Sequence, residues 1–306
     1  MESARRIVQH PLFGLVIGAG ACWVGAYCYV LYRLDRLPSN HPKQVQKLLR
    51  SARNPMVVAC VGDSITHGTG SADWVGMLRA RLQAICPDYV VVNAGINGQH
   101  AYNIFHRIDE VIACKPQWVC LMVGTNDWKG IFNPVWGEAG VIPHNLPQVP
   151  TEQWYVSNMR ATIQRLLDSD QALQVAVLEL PPMGEDLLSR ANRLVDHANQ
   201  VLSDLVADFS ESKRVTLVAT NKALKEHISS RAGSPCGTLP VPFESCFDIM
   251  GKAYAKYFLL MQSWDTIGRS YGYHVLCDGI HLNDTGGQVV VSCLMELLSR
   301  TDAKTK

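Results

Sequence analysis

The sequence lacks the motifs that identify several common classes of enzyme. It has no Cys-x-x-Cys pair and no His-Glu-x-x-His, which are typical zinc-binding patterns. It has no glycine-rich phosphate loop and no Gly-x-Gly-x-x-Gly after a strand, so nucleotide cofactors are not indicated. The one Gly-x-Ser-x-Gly match, Gly268 to Gly272, follows a predicted helix and not a strand, so the nucleophile elbow of the α/β-hydrolase fold is not indicated. We therefore expect neither a metal nor a cofactor.

An excess of charge is also lacking, because 28 Lys and Arg residues are balanced by 27 Asp and Glu residues. A nucleic-acid-binding surface is therefore not expected. The chain has 10 cysteines, but those outside residues 12–32 show no short regular spacing, so no disulfide framework is indicated. Internal repeats and low-complexity tracts are lacking as well.

The beginning of the sequence contains a long uncharged stretch. Residues 12–32 carry no charged side chain, and this is about the length that a helix needs to cross a bilayer. A cleaved signal peptide is the alternative, but the stretch is long for one and no small-x-small site follows it. We predict one uncleaved N-terminal transmembrane helix, with the membrane as a partner through residues 12–32.

The flanks of this stretch favour one orientation in the membrane. The excess of Lys and Arg over acids is larger after the stretch, in residues 33–54, than before it. By the positive-inside tendency, the region that follows would face the cytoplasm. Gly14 and Gly18 form a small-xxx-small pattern, which predicts at most a weak homodimer through the helix. The chain is divided into a membrane anchor (1–33), a basic stalk (34–54), one large domain (55–300) and a polar tail (301–306).

Apolar strand-like runs alternate with helical patterns from residue 56 onwards. This alternation predicts an α/β fold with a mostly parallel sheet that is covered by helices on both faces. Two segments rich in proline and glycine, 130–150 and 229–250, are predicted to be long loops, and the first could line or cover the functional site. Strands are predicted near residues 56–61, 89–93, 117–123, 173–180 and 215–219, and helices near 72–86, 100–113, 151–168, 186–208, 251–265 and 285–299.

A serine directly follows the first predicted strand. Ser64, in Gly62-Asp63-Ser64, comes after a run that is apolar on both faces. Open α/β sheets place their ligands at the carboxyl ends of such strands. Further blocks of turn residues, amides and acids follow other predicted elements: Asn93-Ala94-Gly95-Ile96-Asn97-Gly98, Gly124-Thr125-Asn126-Asp127 and Asp278-Gly279-Ile280-His281-Leu282-Asn283.

These four blocks, in this order, resemble those of the SGNH, or GDSL, hydrolase family of esterases and lipases. The resemblance covers roughly residues 55 to 300. It implies a three-layer, flavodoxin-like SGNH hydrolase fold. It also implies that Ser64 is a nucleophile, that His281 is the base which activates it, and that Asp278 orients the imidazole. The oxyanion hole would be formed by the backbone N–H groups of Ser64 and Gly98 and by the side-chain amide of Asn126.

Three hypotheses about function follow, with an acyl ester as the expected substrate in the first two. The first is a membrane-anchored serine ester hydrolase that acts on lipid or other acyl esters through an acyl-enzyme on Ser64. The second is an acyltransferase, or a deacylase of carbohydrates or envelope polymers, that uses the same site. The third is a non-catalytic membrane scaffold, and the intact set of Ser64, Asn126, Asp278 and His281 argues against it.

Overall fold

The protein contains a five-stranded parallel β-sheet. The computed structural model describes residues 24–51, 55–231, 237 and 245–302. The spatial order of the strands is β2-β1-β3-β4-β5, so the chain first adds a strand on one side of β1 and then continues on the other. This is the strand order of doubly wound α/β folds. The strands are β1 (Met56–Gly62), β2 (Tyr89–Gly95), β3 (Trp118–Met122), β4 (Gln174–Leu178) and β5 (Val215–Val218).

Both faces of the sheet are buried, which explains why the strands could be recognised as continuous apolar runs. Along β1, Val57, Ala59 and Val61 belong to one hydrophobic core, whereas Val58 and Cys60 belong to the other. Each core is closed by a layer of helices, so the sheet is the middle of three layers. The prediction of an α/β fold with a parallel sheet is confirmed.

The helices divide between the two faces of the sheet. Those whose apolar side chains fill the first core are α5, α8 and α9, while α4, α10, α12 and α13 cover the second. The helices are α1 (described over 24–35), α2 (Pro42–Ser51), α3 (Ser64–His67), α4 (Trp74–Ile85), α5 (Ala101–Ile112), α6 (Thr125–Phe132), α7 (Pro134–Val141), α8 (Glu152–Ser169), α9 (Arg190–Ala207), α10 (Thr220–Ser229), α11 (Ser245–Leu260), α12 (Trp264–Ser270) and α13 (Asp284–Asp302).

The predicted transmembrane helix falls largely on residues outside the described part of the chain. Of residues 12–32, only 24–32 are described, and they belong to α1. Among the described residues, no helix combines the length and the apolar character needed to span a bilayer.

The segment between α1 and β1 packs against the sheet. The carbonyl oxygen of Asn40 accepts a hydrogen bond from Asn93 N at 3.1 Å, and its side-chain amide donates to Val91 O at 2.9 Å. His41 is fully buried, and Val45 of α2 belongs to the first core. This part of the predicted stalk therefore covers the exposed edge of β2.

The first proline- and glycine-rich segment is mostly helical, which corrects the prediction of a long loop over residues 130–150. Asn133 accepts a hydrogen bond from Val135 N, and Pro134 occupies the first position of α7, where its missing N–H is not needed. A Cβ on Gly130 would lie 3.0 Å from Gly137 Cα, so the glycines let α6 and α7 pack closely. The second such segment, 229–250, lies mostly outside the described residues.

Candidate active site

The candidate site lies at the carboxyl edge of the sheet, where β1, β2 and β3 end side by side. Gly62 at the end of β1 pairs with Gly95 of β2 and with Met122 of β3. A Cβ on Gly62 would lie 2.2 Å from Met122 O, so only glycine allows the strands to approach here. The polar residues that follow these three strands are thereby brought together.

Ser64 begins α3 directly after β1. Asp63 caps this short helix, because its carboxylate accepts a hydrogen bond from Ile65 N at 2.9 Å. Burial raises the pKa of Asp63 to about 6, although the Ile65 N–H and the nearby positive charges oppose the rise. Asp63 thus has a structural position beneath Ser64, as its place before a helix suggests.

Ser64, His281 and Asp278 form a continuous hydrogen-bonded chain. Ser64 Oγ lies 2.8 Å from His281 Nε2, and His281 Nδ1 lies 2.8 Å from Asp278 Oδ2. The other Asp278 oxygen accepts hydrogen bonds from the backbone N–H groups of Ile280 and His281. All three predicted residues are therefore brought together, although 217 positions separate Ser64 from His281.

The environment of Asp278 determines the proton arrangement in this chain. Asp278 is fully buried, which by itself raises its pKa, but the charge of His281 and the hydrogen bonds to the carboxylate outweigh burial and lower the pKa. An ionised Asp278 accepts the Nδ1 proton of His281. In the neutral imidazole that donates Nδ1–H to Asp278, Nε2 carries the lone pair that can accept the proton of the Ser64 hydroxyl.

Gly98 and Asn126, the other predicted site residues, face the same cavity as Ser64. Gly98 has a φ of +74°, and a Cβ there would lie 2.2 Å from the His144 ring, so the position requires glycine. The Asn126 amide donates to Gln99 O at 3.0 Å, and its oxygen accepts from Lys129 Nζ at 3.1 Å. These two hydrogen bonds, one to the nitrogen and one to the oxygen, therefore fix the orientation of the Asn126 amide group.

A cavity of about 370 Å³ opens above Ser64. Its wall is mostly apolar, and none of its lining residues is an acid. Trp136, from the segment predicted to line or cover the site, is among the lining residues. The lining residues are Leu34, Ser64, Asn97, Gly98, His100, Asn126, Lys129, Trp136, Ala139, Gly140, Pro143, His144, Met250, Tyr254, Ile280 and His281.

Three basic residues at this cavity, Lys129, His100 and His144, were missed by sequence reasoning. Burial and the neighbouring His144 and Lys129 lower the pKa of His100 to about 3, and burial and Lys129 lower the pKa of His144. Lys129 Nζ also lies 4.1 Å from the centre of the Trp136 ring. The i, i+3 spacing of Asn126 and Lys129 could have placed Lys129 beside Asn126. Residues at this spacing are neighbours only in a helix, and the helix that begins at Thr125 was not predicted.

The site offers no evident place for a metal. In the part of the chain that the structure describes, no three His, Cys, Asp or Glu side chains cluster in a way that could hold a metal ion.

A parallel α/β sheet that carries a hydrogen-bonded Ser–His–Asp chain at its carboxyl edge is typical of serine-dependent acyl hydrolases. Comparison with known proteins places the chain within this class. The family model described as the GDSL-like Lipase/Acylhydrolase family matches residues 60–237, which is more than half of the chain. The chain therefore belongs to the GDSL-like lipase/acylhydrolase family, and it is a carboxylic ester hydrolase.

The chain is also similar to acetylxylan esterases. An acetylxylan esterase from Geobacillus stearothermophilus is 28% identical over 183 residues, which cover 54% of this chain and 78% of that protein. A structure of a catalytic mutant of an acetylxylan esterase from the same organism matches with a TM-score of 0.54 at 17% identity, covering 79% of this chain and 93% of the other. An acetyl xylan esterase structure with 18% identity matches with a TM-score of 0.50, covering 79% and 99%. At these identities, the two structures show a shared fold.

Proposed function

We propose that this protein is a membrane-anchored serine ester hydrolase that forms an acyl-enzyme on Ser64. The observation that carries the proposal is the hydrogen-bonded chain from Ser64 through His281 to Asp278, which ends at the floor of a mostly apolar cavity. Lipid esters or other acyl esters are the proposed substrates. No metal or cofactor takes part in the proposed reaction.

In the first half of the reaction, Ser64 Oγ attacks the carbonyl carbon of the ester while His281 Nε2 takes the hydroxyl proton. The negative charge that forms on the carbonyl oxygen accepts hydrogen bonds from Ser64 N–H, Gly98 N–H and Asn126 Nδ2. Collapse of the tetrahedral intermediate breaks the bond to the alkoxy oxygen, and His281 returns its proton to the leaving alcohol. The acyl group remains on Ser64.

In the second half, water replaces the alcohol. His281 takes a proton from the attacking water, and the same oxyanion donors stabilise the second tetrahedral intermediate. The bond to Ser64 Oγ then breaks, the acid leaves, and the proton on His281 returns to the serine. Asp278 keeps the imidazole in the tautomer that both halves require.

The proposed membrane attachment rests on the uncharged residues 12–32. The excess of basic residues in 33–54 favours a cytoplasmic position for the domain. A weak homodimer through Gly14 and Gly18 is part of the same proposal. An anchored enzyme meets membrane esters at high local concentration, which supports lipid esters as a substrate class.

A second candidate function is the deacylation of carbohydrates, or acyl transfer to an acceptor other than water. The similarity to an acetylxylan esterase favours short acyl groups on a sugar. Product analysis separates these functions: acetylated xylo-oligosaccharides test deacylation, and added alcohol or sugar acceptors test transfer. If only free acid appears at every acceptor concentration, transfer is excluded.

The direct test of the nucleophile uses a fluorophosphonate probe on membranes that hold the full-length protein. Labelling of the wild type and its loss in Ser64→Ala and in His281→Ala are expected. Ser299→Ala and His106→Ala, which change an exposed serine and an exposed histidine away from the cavity, should retain labelling. Equal labelling of Ser64→Ala and the wild type would show that another residue is the nucleophile.

A further inference from the structure

Most of the exposed apolar side chains are concentrated on three segments. Among the described residues, ten of the thirteen large hydrophobic side chains that are exposed lie on α1, on α7 and the residue that follows it, or at the end of α11. We call these ten residues the apolar rim: Val24, Tyr27, Tyr29, Leu31, Tyr32, Val135, Ile142, Leu259, Leu260 and Met261.

Each of the three segments that carry the apolar rim also contributes a residue to the wall of the catalytic cavity. Leu34, at the end of α1, lines the cavity, as do Trp136 of α7 and Tyr254 of α11. The first and third segments are in contact, because the guanidinium of Arg33 lies 5.2 Å from the centre of the Phe258 ring. The exposed apolar surface is therefore next to the opening through which an ester would reach Ser64.

Met261 shows that packing within the chain does not explain this surface. Its side chain is 85% exposed, and its φ of 55° is in the left-handed region, where glycine or asparagine is favoured after a helix. Neither burial nor backbone conformation accounts for a large apolar side chain here. Burial against something outside the chain would account for it, since large apolar patches at a surface mark binding sites.

We propose that the apolar rim docks on a lipid bilayer and that the catalytic cavity opens at the lipid surface. The bilayer is the favoured occupant because the five rim residues on α1, half of the rim, lie within the uncharged stretch 12–32. Acyl esters held in the bilayer would then enter the cavity without crossing water. This inference rests on the proposed hydrolase function for its substrate, but the docking itself does not depend on catalysis.

Docking is tested by photo-crosslinking in the full-length protein, reconstituted in vesicles of phosphatidylcholine and phosphatidylglycerol. The photoreactive residue p-benzoylphenylalanine is introduced as Met261→p-benzoylphenylalanine or Ile142→p-benzoylphenylalanine. Leu188→p-benzoylphenylalanine is the matched control, because Leu188 is 84% exposed but lies outside the rim. Lipid adducts are expected, by mass spectrometry, at positions 261 and 142 and not at 188.

Two outcomes would overturn the proposal. Equal lipid adduct at 261 and 188 would show that the rim is no closer to lipid than the rest of the surface. Adducts at 261 that join two copies of the chain, and that decrease as lipid is added, would identify a second copy as the occupant.

Activity gives an independent measure. Met261→Asn suits the left-handed backbone and removes the apolar side chain, so the fold should be kept. We measure the ratio of two rates, hydrolysis of a fluorogenic diacyl lipid in vesicles and hydrolysis of 4-nitrophenyl acetate in solution. This ratio is expected to fall about 10-fold, because the transfer free energy of one apolar side chain into lipid is lost. Leu188→Asn should keep the wild-type ratio, and an unchanged ratio in Met261→Asn contradicts entry from the bilayer. Failure of the wild type to hydrolyse 4-nitrophenyl acetate would count against the hydrolase proposal instead, and the crosslinking would still decide docking.

Discussion

Three buried carboxyl groups near the candidate active site respond to burial in different ways. The pKa of Asp278 is lowered, because the charge and hydrogen bonds of His281 outweigh burial. Burial raises the pKa of Asp63 to about 6 and that of Asp127 to about 8. Asp127 Oδ2 accepts a hydrogen bond from Ala101 N–H at 3.1 Å, whereas its Oδ1 is buried without a hydrogen-bond partner. The carboxylate beside the imidazole therefore stays ionised, while its neighbours hold protons more tightly.

This difference predicts a pH-dependent stability for Asp127→Asn. The pKa of Asp127 is about 8 in the folded protein, against about 4 for an unfolded chain. As the pH rises between these values, the unfolded state loses its proton first, so this group destabilises the fold increasingly. The wild type should lose up to about 1.4 kcal/mol per pH unit relative to Asp127→Asn across that window. The measurement is urea unfolding of both proteins between pH 5 and pH 8.5.

Asp109→Asn is the control, since Asp109 is an exposed acid on α5. Its stability should follow that of the wild type in the same titration. A constant difference between Asp127→Asn and the wild type at every pH would contradict the raised pKa of Asp127.

Lys129 is expected to support Asn126 in stabilising the oxyanion. Its ammonium donates to Asn126 Oδ1, which orients the amide and makes its N–H groups stronger donors. Full loss of an oxyanion donor costs about 10²–10³ in rate, so loss of its support in Lys129→Met should lower kcat by about 10-fold with little change in KM. Steady-state kinetics with 4-nitrophenyl acetate measure both constants.

Two further variants distinguish positioning from a general effect. Lys129→Arg keeps a positive donor at this position and should recover part of kcat. Lys222→Met removes an exposed lysine of α10 and should leave both constants unchanged. A rise in KM at constant kcat for Lys129→Met would instead assign Lys129 to substrate binding.

At the scale of elements, one arginine ties the ends of two strands to the loop that carries Gly98. Arg107 of α5 donates to Ala94 O at 2.6 Å and to Gly62 O at 3.3 Å, at the ends of β2 and β1. It also donates to Gln99 Oε1 at 2.5 Å and to Glu110 Oε1 at 3.0 Å. The side chain is largely buried, and burial lowers its pKa. This network connects the positions of Ser64 and Gly98, which come from different strands.

Removal of this arginine should therefore affect the fold strongly. Arg107→Met would leave buried carbonyl groups and the Glu110 carboxylate without their partner, at an expected cost of about 3–5 kcal/mol. Arg165→Met removes an exposed arginine that pairs with Asp109, and should cost under about 1 kcal/mol. Urea unfolding measures the free energy of unfolding of both variants. Similar decreases for the two variants would contradict a stabilising role for the Arg107 network.

Sequence patterns predicted some elements much better than others. All five strands were identified within a few residues, because a strand buried on both faces must be a continuous apolar run. Helices α6, α7 and α10 were missed, and in the first two the glycines and Pro134 are typical of loops. Only close packing against each other and the N-cap of Asn133 make helices favourable there. Because these helices were not predicted, it could not be predicted that Lys129 and Trp136 line the same cavity.

At the scale of the molecule, the end of α1 and the segment that follows it are joined to the candidate site and to β2. Leu34 lines the catalytic cavity, and its carbonyl oxygen accepts a hydrogen bond of 2.6 Å from Asn97 Nδ2, one residue before Gly98. Asn40 and Val45 continue this contact along β2. The basic composition of residues 34–54 predicts a polar stalk. Composition alone cannot show that Asn40 forms hydrogen bonds with Val91 and Asn93 along the edge of the sheet.

The sequence by itself determined the α/β fold, the parallel sheet and the residues Ser64, Gly98, Asn126, Asp278 and His281 as candidates for the site. It could do so because strand burial and turn chemistry are local, and because the blocks occur in the order that the family requires. Tertiary structure alone decided that these residues meet within hydrogen-bonding distance, that Lys129 supports Asn126, and that Leu34, Trp136 and Tyr254 enclose one cavity. These facts depend on contacts between residues far apart in the chain, which packing of the helices against the sheet creates and no local pattern encodes.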